Sequence, residues 1–313
     1  MTRSNSAAPA AARRAAAALL IVLALPLLGG CVRIPVNADT LFQPKESVTI
    51  GTFDHPEATL EEIFFESEDG TRLNAWYLSR REARATVLFF GGYGFYLVQS
   101  QPYINHFIRQ GVNALLVDYR GYGRSEGEPS VAALKDDGLA AWDVLTQDFG
   151  VDPQTMVVHG HSLGTFMATY VAEQREAAAL VLENPATSAR DWTRAAVPWY
   201  LRPILSFDIA ESIEVEDNLE RIGTVEEHLL VLAGGEDMVT PAEMAGDLYE
   251  AAAAAETRDL VIIEEGSHPD LHEFDAYGTA YRRLVDRLGS PQSSSPTATP
   301  SLSNTRYRRA AAP

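Results

Sequence analysis

Through the middle of the chain, short apolar runs alternate with longer stretches of helical period. Ile63-Phe64-Phe65 and Leu73 to Leu78 flank Asp69-Gly70, a turn signal that predicts an antiparallel hairpin. Thr86 to Phe90 and Asn113 to Val117 read as continuous buried strands, with a helix over Gln101 to Gln110 between them. Val131 to Gln147 is helical, carrying Leu134, Leu139, Trp142 and Leu145 as its apolar positions. Thr155 to His159 is a further strand, bounded by Asp152-Pro153. The helix-compatible run Thr165 to Glu173 follows, with Phe166, Met167, Tyr170 and Val171 at helical spacing. Ala179 to Leu182, His228 to Leu232 and Leu260 to Ile263 complete the strands, and helices over 241–255 and 273–288 accompany the last two. Such alternation predicts an α/β fold: a mostly parallel central sheet with helices on both faces and a hairpin at its start. No internal repeat interrupts it.

Residues 185–226 depart from the pattern. Trp192, Pro198-Trp199-Tyr200, Pro203 and Phe207 fall there without a clear period. Two readings stay open: Trp192, Trp199 and Tyr200 line a substrate pocket over the carboxyl edge of the sheet, or they pack a surface excursion. The domain outlined in this way covers 60–289, with 185–226 as a lid-like region.

The two ends are of different character. Arg3, Arg13 and Arg14 precede an apolar run, Ala15 to Leu28, that is too short to span a bilayer comfortably, so 1–30 reads as a targeting segment. Leu28-Gly29-Gly30-Cys31 resembles the cleavage box of bacterial lipoproteins, which implies that Cys31 is acylated and anchors the chain to a membrane. Cys31 is the only cysteine and has no disulfide partner. An ordinary secretory signal with an unmodified cysteine is the alternative. Val32, where an aspartate would signal retention in the inner membrane, implies by resemblance to enteric lipoproteins the outer membrane, facing the periplasm. Residues 31–59 read as tether and lead-in. Residues 290–313 are rich in Ser, Pro, Thr and Ala, and are expected to stay a disordered, solvated tail.

With 313 residues and 46% hydrophobic composition, the chain can bury a sizeable core. Its formal charge of −18 excludes a nucleic-acid partner, since no basic stripe is present to neutralise phosphates.

Candidate chemistry begins at Gly160-His161-Ser162-Leu163-Gly164, between the strand ending at His159 and the helix after it. A strand that turns at once into a helix makes a tight bend, and glycines two residues either side of Ser162 give it room. The bend exposes the hydroxyl and aims the first helical N–H groups at whatever it attacks. A serine needs a base to take its proton, and the base needs a carboxylate to orient it. In a parallel sheet both belong after strands, at their carboxyl ends. Glu236 and Asp237 follow the strand ending at Leu232, and either can serve. His268 follows the strand ending at Ile263. Of the other histidines, His55 and His106 precede the bend, His159 and His228 bound strands, and His272 lies in the next helix. His161 is expected to point away along the bend. The loop Gly91-Gly92-Tyr93-Gly94-Phe95, after the strand Thr86 to Phe90, can offer the N–H of Tyr93, with that of Leu163, to a developing oxyanion.

These segments, together with Val117-Asp118-Tyr119-Arg120-Gly121-Tyr122-Gly123-Arg124-Ser125-Glu126-Gly127, resemble the serine hydrolases of the α/β-hydrolase superfamily. The likeness is greatest to the small-lid branch of depalmitoylase-like, monoacylglycerol-lipase-like and aminopeptidase-like members, and it covers roughly residues 60–288. It implies Asp237 rather than Glu236 as the orienting carboxylate, and a structural role for Asp118 to Ser125. The loop opens Gly91-Gly92 where the family usually has His-Gly. The expectation is a cell-envelope enzyme that cleaves carboxylic ester or thioester bonds with Ser162, His268 and Asp237, using no metal or organic cofactor. Its substrate would be a small acyl ester or a peptide. A serine peptidase with the same triad, and a non-catalytic lipoprotein that merely keeps the fold, are the alternatives.

Overall fold

The computed structural model describes residues 32–38, 53–92, 97–198, 200–288 and 307–309. In chain order the strands are β1 (Val32–Val36), β2 (Ala58–Glu66), β3 (Arg72–Arg80), β4 (Thr86–Phe90), β5 (Asn113–Val117), β6 (Met156–His161), β7 (Ala179–Glu183), β8 (Leu205–Ile209), β9 (His228–Gly234), β10 (Arg258–Ile263) and β11 (Tyr307–Arg309). The helices are α1 (Gln101–Gln110), α2 (Val131–Asp143), α3 (Gly164–Gln174), α4 (Ala189–Ala195), α5 (Glu211–Glu214), α6 (Asn218–Ile222), α7 (Ala242–Ala251) and α8 (Asp275–Arg287).

Nine strands form the main sheet in the order β10-β9-β7-β6-β4-β5-β3-β2-β11. From β5 to β10 every pairing is parallel, while β3 lies antiparallel to β5 and β2 antiparallel to β3. The α/β architecture read from the alternation is the one found. Side chains in successive positions of the parallel strands point to opposite faces, so each strand feeds two cores. Leu88, Phe90, Val158 and Leu182 join α2, α3 and α7 on one face. Val87, Phe89, Val157 and Val181 join α1 and α8 on the other. This explains why those strands are apolar throughout instead of alternating.

Four expectations are revised. The run 31–59 is not all tether: Val32 to Val36 forms β1, which pairs in parallel with β8 in a separate two-stranded sheet. The aperiodic stretch 185–226 contains β8 and the short helices α4, α5 and α6. The helix from Val131 is α-helical to Asp143, and Val144–Asp148 continues it as a π turn. Within the tail, Tyr307–Arg309 pairs antiparallel with β2 at the sheet edge. The targeting segment and Cys31 lie outside the described residues, as do Tyr93 and Trp199. Among the described residues, no helix is long and apolar enough to cross a membrane.

Candidate active site

β6 runs straight into α3 through Ser162, whose φ of 53° places it in the left-handed region. That conformation is costly for a residue with a side chain, about 1–3 kcal/mol, and persists where surroundings over-determine it. Here Ser162 N donates to Glu183 O (2.9 Å), and Ser162 O accepts from Thr165 N (3.0 Å) and Thr165 Oγ1 (2.6 Å). The flanking glycines serve close approach rather than an unusual φ. A Cβ on Gly160 would stand 2.4 Å from Gly164 O, and one on Gly164 would stand 2.1 Å from Phe90 O. Only bare backbone lets the first turn of α3 sit this close to β6 and β4.

Three side chains from three strand ends meet above the bend. His268 Nε2 is 2.8 Å from Ser162 Oγ, and His268 Nδ1 is 2.7 Å from Asp237 Oδ2. Asp237 also accepts from Val239 N (2.7 Å), Thr240 N (2.9 Å) and Thr240 Oγ1 (2.9 Å). Burial works to raise the Asp237 pKa, but the bonds from His268, Thr240 and Val239 outweigh it, and its pKa lies below the ordinary value. An ionised Asp237 fixes the proton of His268 on Nδ1, leaving Nε2 to accept from the serine hydroxyl. Glu236 is exposed, so of the two neighbouring carboxylates only Asp237 faces the histidine.

Residues 81–216 match the family model described as serine aminopeptidase S33. An uncharacterized protein of Mycobacterium tuberculosis is 35% identical over 214 residues, which are 67% of this chain and 72% of that protein. In three dimensions the fold is similar to an esterase of Pyrococcus furiosus, with a TM-score of 0.64 and 17% identity over 79% of this chain and 97% of that one. It is also similar to an acylaminoacyl peptidase of Pyrococcus horikoshii, with a TM-score of 0.58 and 18% identity over 76% of this chain and 43% of the other. The chain belongs to the α/β-hydrolase superfamily. At this level it is a hydrolase, and the mycobacterial protein is a relative within the same family.

In this hydrolase Gly92 and Leu163 lie beside the serine. A Cβ on Gly92 would lie 3.1 Å from Ser162 Cβ, so the backbone at Gly92 passes close beside the serine. Leu163 stands at the N-terminal end of α3 and lines the cavity beside Ser162. The motif loop 118–127 braces both ends of the segment that holds Tyr93. Tyr119 OH donates to Gly91 O (2.8 Å), and Asp118 Oδ1 accepts from Leu97 N (2.9 Å). Asp118 is buried, and burial lifts its pKa to about 6 against the backbone N–H groups that lower it. Its family-implied structural role has this concrete content.

Two functional features escaped the sequence reading. His161 does not point away: its ring lies 5.2 Å from that of His268, and its Nε2–H donates to His268 O (3.1 Å). Asn184, fully buried with φ 46°, donates through Nδ2 to the same His268 O (2.9 Å) and to Ser267 O (3.3 Å). Its Oδ1 accepts from Gly234 N (2.9 Å), and its own carbonyl accepts from Thr240 Oγ1 (3.0 Å). One asparagine thus joins the loops that carry the carboxylate and the imidazole. The available signal was Leu182-Glu183-Asn184-Pro185: an acid closing an apolar run, then an asparagine, the residue after glycine most tolerant of positive φ.

Beside the triad lies a cavity of about 700 Å³. Its walls include Leu134, Phe166, Met167, Trp192 and Ile213, drawn from α2 to α5. Trp192 therefore lines the cavity, one of the two readings left open. Tyr200 does not: it lies in the turn between α4 and β8, is 61% exposed, and stands outside the cavity walls. Among the described residues, no group of acidic, histidine or cysteine side chains is arranged to hold a metal ion.

Proposed function

We propose that the protein is a serine esterase of the cell envelope, acting on acyl esters or thioesters of apolar acids. The observation that carries the reading is the hydrogen-bonded row Ser162 Oγ, His268 Nε2, His268 Nδ1 and Asp237 Oδ2, at 2.8 and 2.7 Å. Ser162 Oγ attacks the carbonyl carbon as its proton passes to His268 Nε2. Asp237 stabilises the imidazolium, and the N–H groups of Leu163 and Tyr93 hold the oxyanion. His268 then returns the proton to the leaving alcohol or thiol. Water, activated by the same imidazole, attacks the acyl-enzyme and restores the serine.

A peptidase reading has the family model's description in its favour, and the cavity weighs against it. For an aminopeptidase, capture of the substrate's terminal ammonium calls for a free carboxylate near the serine. Among the described cavity-lining residues, Glu216 alone is acidic, and both its oxygens are engaged, one with Lys135 Nζ and one with Arg221 NH1 (2.7 Å). The remaining walls suit an acyl chain, whose burial contributes about 0.8 kcal/mol per methylene. Placement in the envelope rests on the Leu28 to Cys31 box and acylation of Cys31.

The test is labelling by a fluorophosphonate probe, with turnover of p-nitrophenyl acyl esters measured beside aminoacyl amides. Wild-type protein should label and should favour esters, with kcat/KM rising about fourfold per added methylene until the cavity is filled. Ser162→Ala should lose labelling and turnover with its thermal midpoint retained. Undiminished labelling of that variant overturns the nucleophile, and a preference for amides overturns the esterase reading.

A further inference from the structure

The chain carries 43 acidic against 25 basic residues, yet one face of the lid-like region is basic. Between 189 and 206 there are three arginines, Arg190, Arg194 and Arg202, and a single acid, Asp191. Asp191 is turned inward, accepting from Thr187 Oγ1 (2.9 Å) and Ser188 Oγ (2.8 Å). All three arginines are exposed and line one shallow groove along β8, on the other side of α4 from Trp192 and the catalytic cavity. The same groove contains two acids, Asp208 and Glu214, of which Glu214 is paired with Arg190. Arg33, also exposed, enters from β1, opposite Ser206 in the register. Large apolar side chains are exposed on the same segments: Tyr200, between α4 and β8, is 61% exposed, and Ile34, next to Arg33 on β1, is 40% exposed.

Arginine interleaved with exposed tyrosine and isoleucine is the composition of a surface that meets lipid headgroups, where the cation pairs with phosphate and the apolar part enters the interface. The register adds a second, independent argument. Val32, the residue that follows Cys31 in the chain, is paired with Leu205 at the start of β8. A lipid on Cys31 would be tethered one residue from β1, a strand of this face. We infer that the outer face of the lid-like region, formed by β1, α4 and β8, docks on an anionic phospholipid surface, with Arg33, Arg194 and Arg202 contacting phosphate. Docking there lays the roof of the cavity against the bilayer that the anchor would select. The inference concerns binding and does not require the hydrolase mechanism.

The full chain is reconstituted on phosphatidylcholine vesicles with and without phosphatidylglycerol, and amide hydrogen exchange is followed over 33–36 and 190–206. Exchange should slow when phosphatidylglycerol is present and return to the phosphatidylcholine rate in 1 M salt, where the Debye length falls to about 3 Å. Each arginine replaced by glutamine should raise the phosphatidylglycerol requirement about fivefold, so that the combined Arg33→Gln, Arg194→Gln, Arg202→Gln variant loses the protection. Unchanged exchange in β6 and β9 shows that the variant is folded. Equal exchange on the two vesicle types overturns the inference, as does full protection in the triple variant. Protection that appears without vesicles and grows with protein concentration also overturns it, by identifying a second copy of the chain as the occupant. Ester turnover, measured on the same samples with a water-soluble substrate, fails separately if the esterase reading is wrong.

Discussion

The amide of Asn184 donates to the carbonyls of Ser267 and His268 while its oxygen accepts from Gly234 N, so a single side chain sets the distance between the loops after β9 and β10. Misplacing a catalytic group by about 1 Å can cost about 100-fold in rate. Asn184→Asp retains the size and the acceptor but opposes carboxylate oxygen to two carbonyls. It should lower kcat about 100-fold with KM nearly unchanged, as measured on a short ester, and an unchanged kcat in a folded variant would show that His161 alone suffices to hold His268. Ser162 and His268 were readable from the sequence because nucleophile and base each need a particular residue type at a strand end, whereas strand-end position left Glu236 and Asp237 both open and only the family resemblance chose between them. Asn184 and His161 were not readable, because their work is defined only once separate loops have met. Position in an aperiodic segment likewise could not say that Trp192 faces the cavity while Tyr200 faces outward.

At the level of elements, the strands buried on both faces were the easiest to read, since continuous apolar runs of five residues have few other uses. β1 was missed because Val-Arg-Ile-Pro-Val lacks such a run, and its partner, β8, lies in a segment that is equally mixed. The bend at Ser162 shows how the same residue type takes opposite meanings in different elements. Gly164 begins α3 against Phe90 O, and an added Cβ would be 2.1 Å from that oxygen and 2.7 Å from Gly91 O. Gly246, within α7, has nothing within 4 Å of an added Cβ. Gly164→Ala should therefore destabilise by about 3 kcal/mol, since α3 must move off β4. Gly246→Ala should stabilise by up to about 1 kcal/mol through helix propensity alone. Urea midpoints of the two variants check both signs, and equal signs would contradict the packing described for the bend.

Across the whole molecule, the sheet is tied to the helices of one face by a buried polar cluster beneath the active site. Glu183, at the end of β7 and without solvent exposure, accepts from His159 Nε2 on β6 (3.1 Å), Tyr277 OH on α8 (2.8 Å) and Tyr103 OH on α1 (3.2 Å). His106 on α1 packs edge-on against Tyr277 and Tyr281, with ring centroids 4.6 and 4.9 Å away. Burial alone would raise the Glu183 pKa, yet the donors from His159 and Tyr277 and the charge of its histidine neighbours hold it at about 2, against an ordinary 4.5. His106 is pushed down from 6.5 to about 3, chiefly by burial and by His159. Both groups bind fewer protons folded than unfolded as the medium is acidified, so both withdraw stability as pH falls. His106 acts through the window from about 6.5 to 3, and Glu183 acts from about 4.5 to 2. The shift of Glu183 corresponds to about 3 kcal/mol at neutral pH. Glu183→Gln removes the ionisable partner, so it should cost about that much at pH 7. The gap between wild type and variant should narrow as pH is lowered below about 4, where the wild-type carboxylate begins to lose its advantage. Urea unfolding of both proteins at neutral pH and near pH 3 decides the matter: a gap of the same size at both would mean that Glu183 contributes through shape and hydrogen bonding, not through its charge.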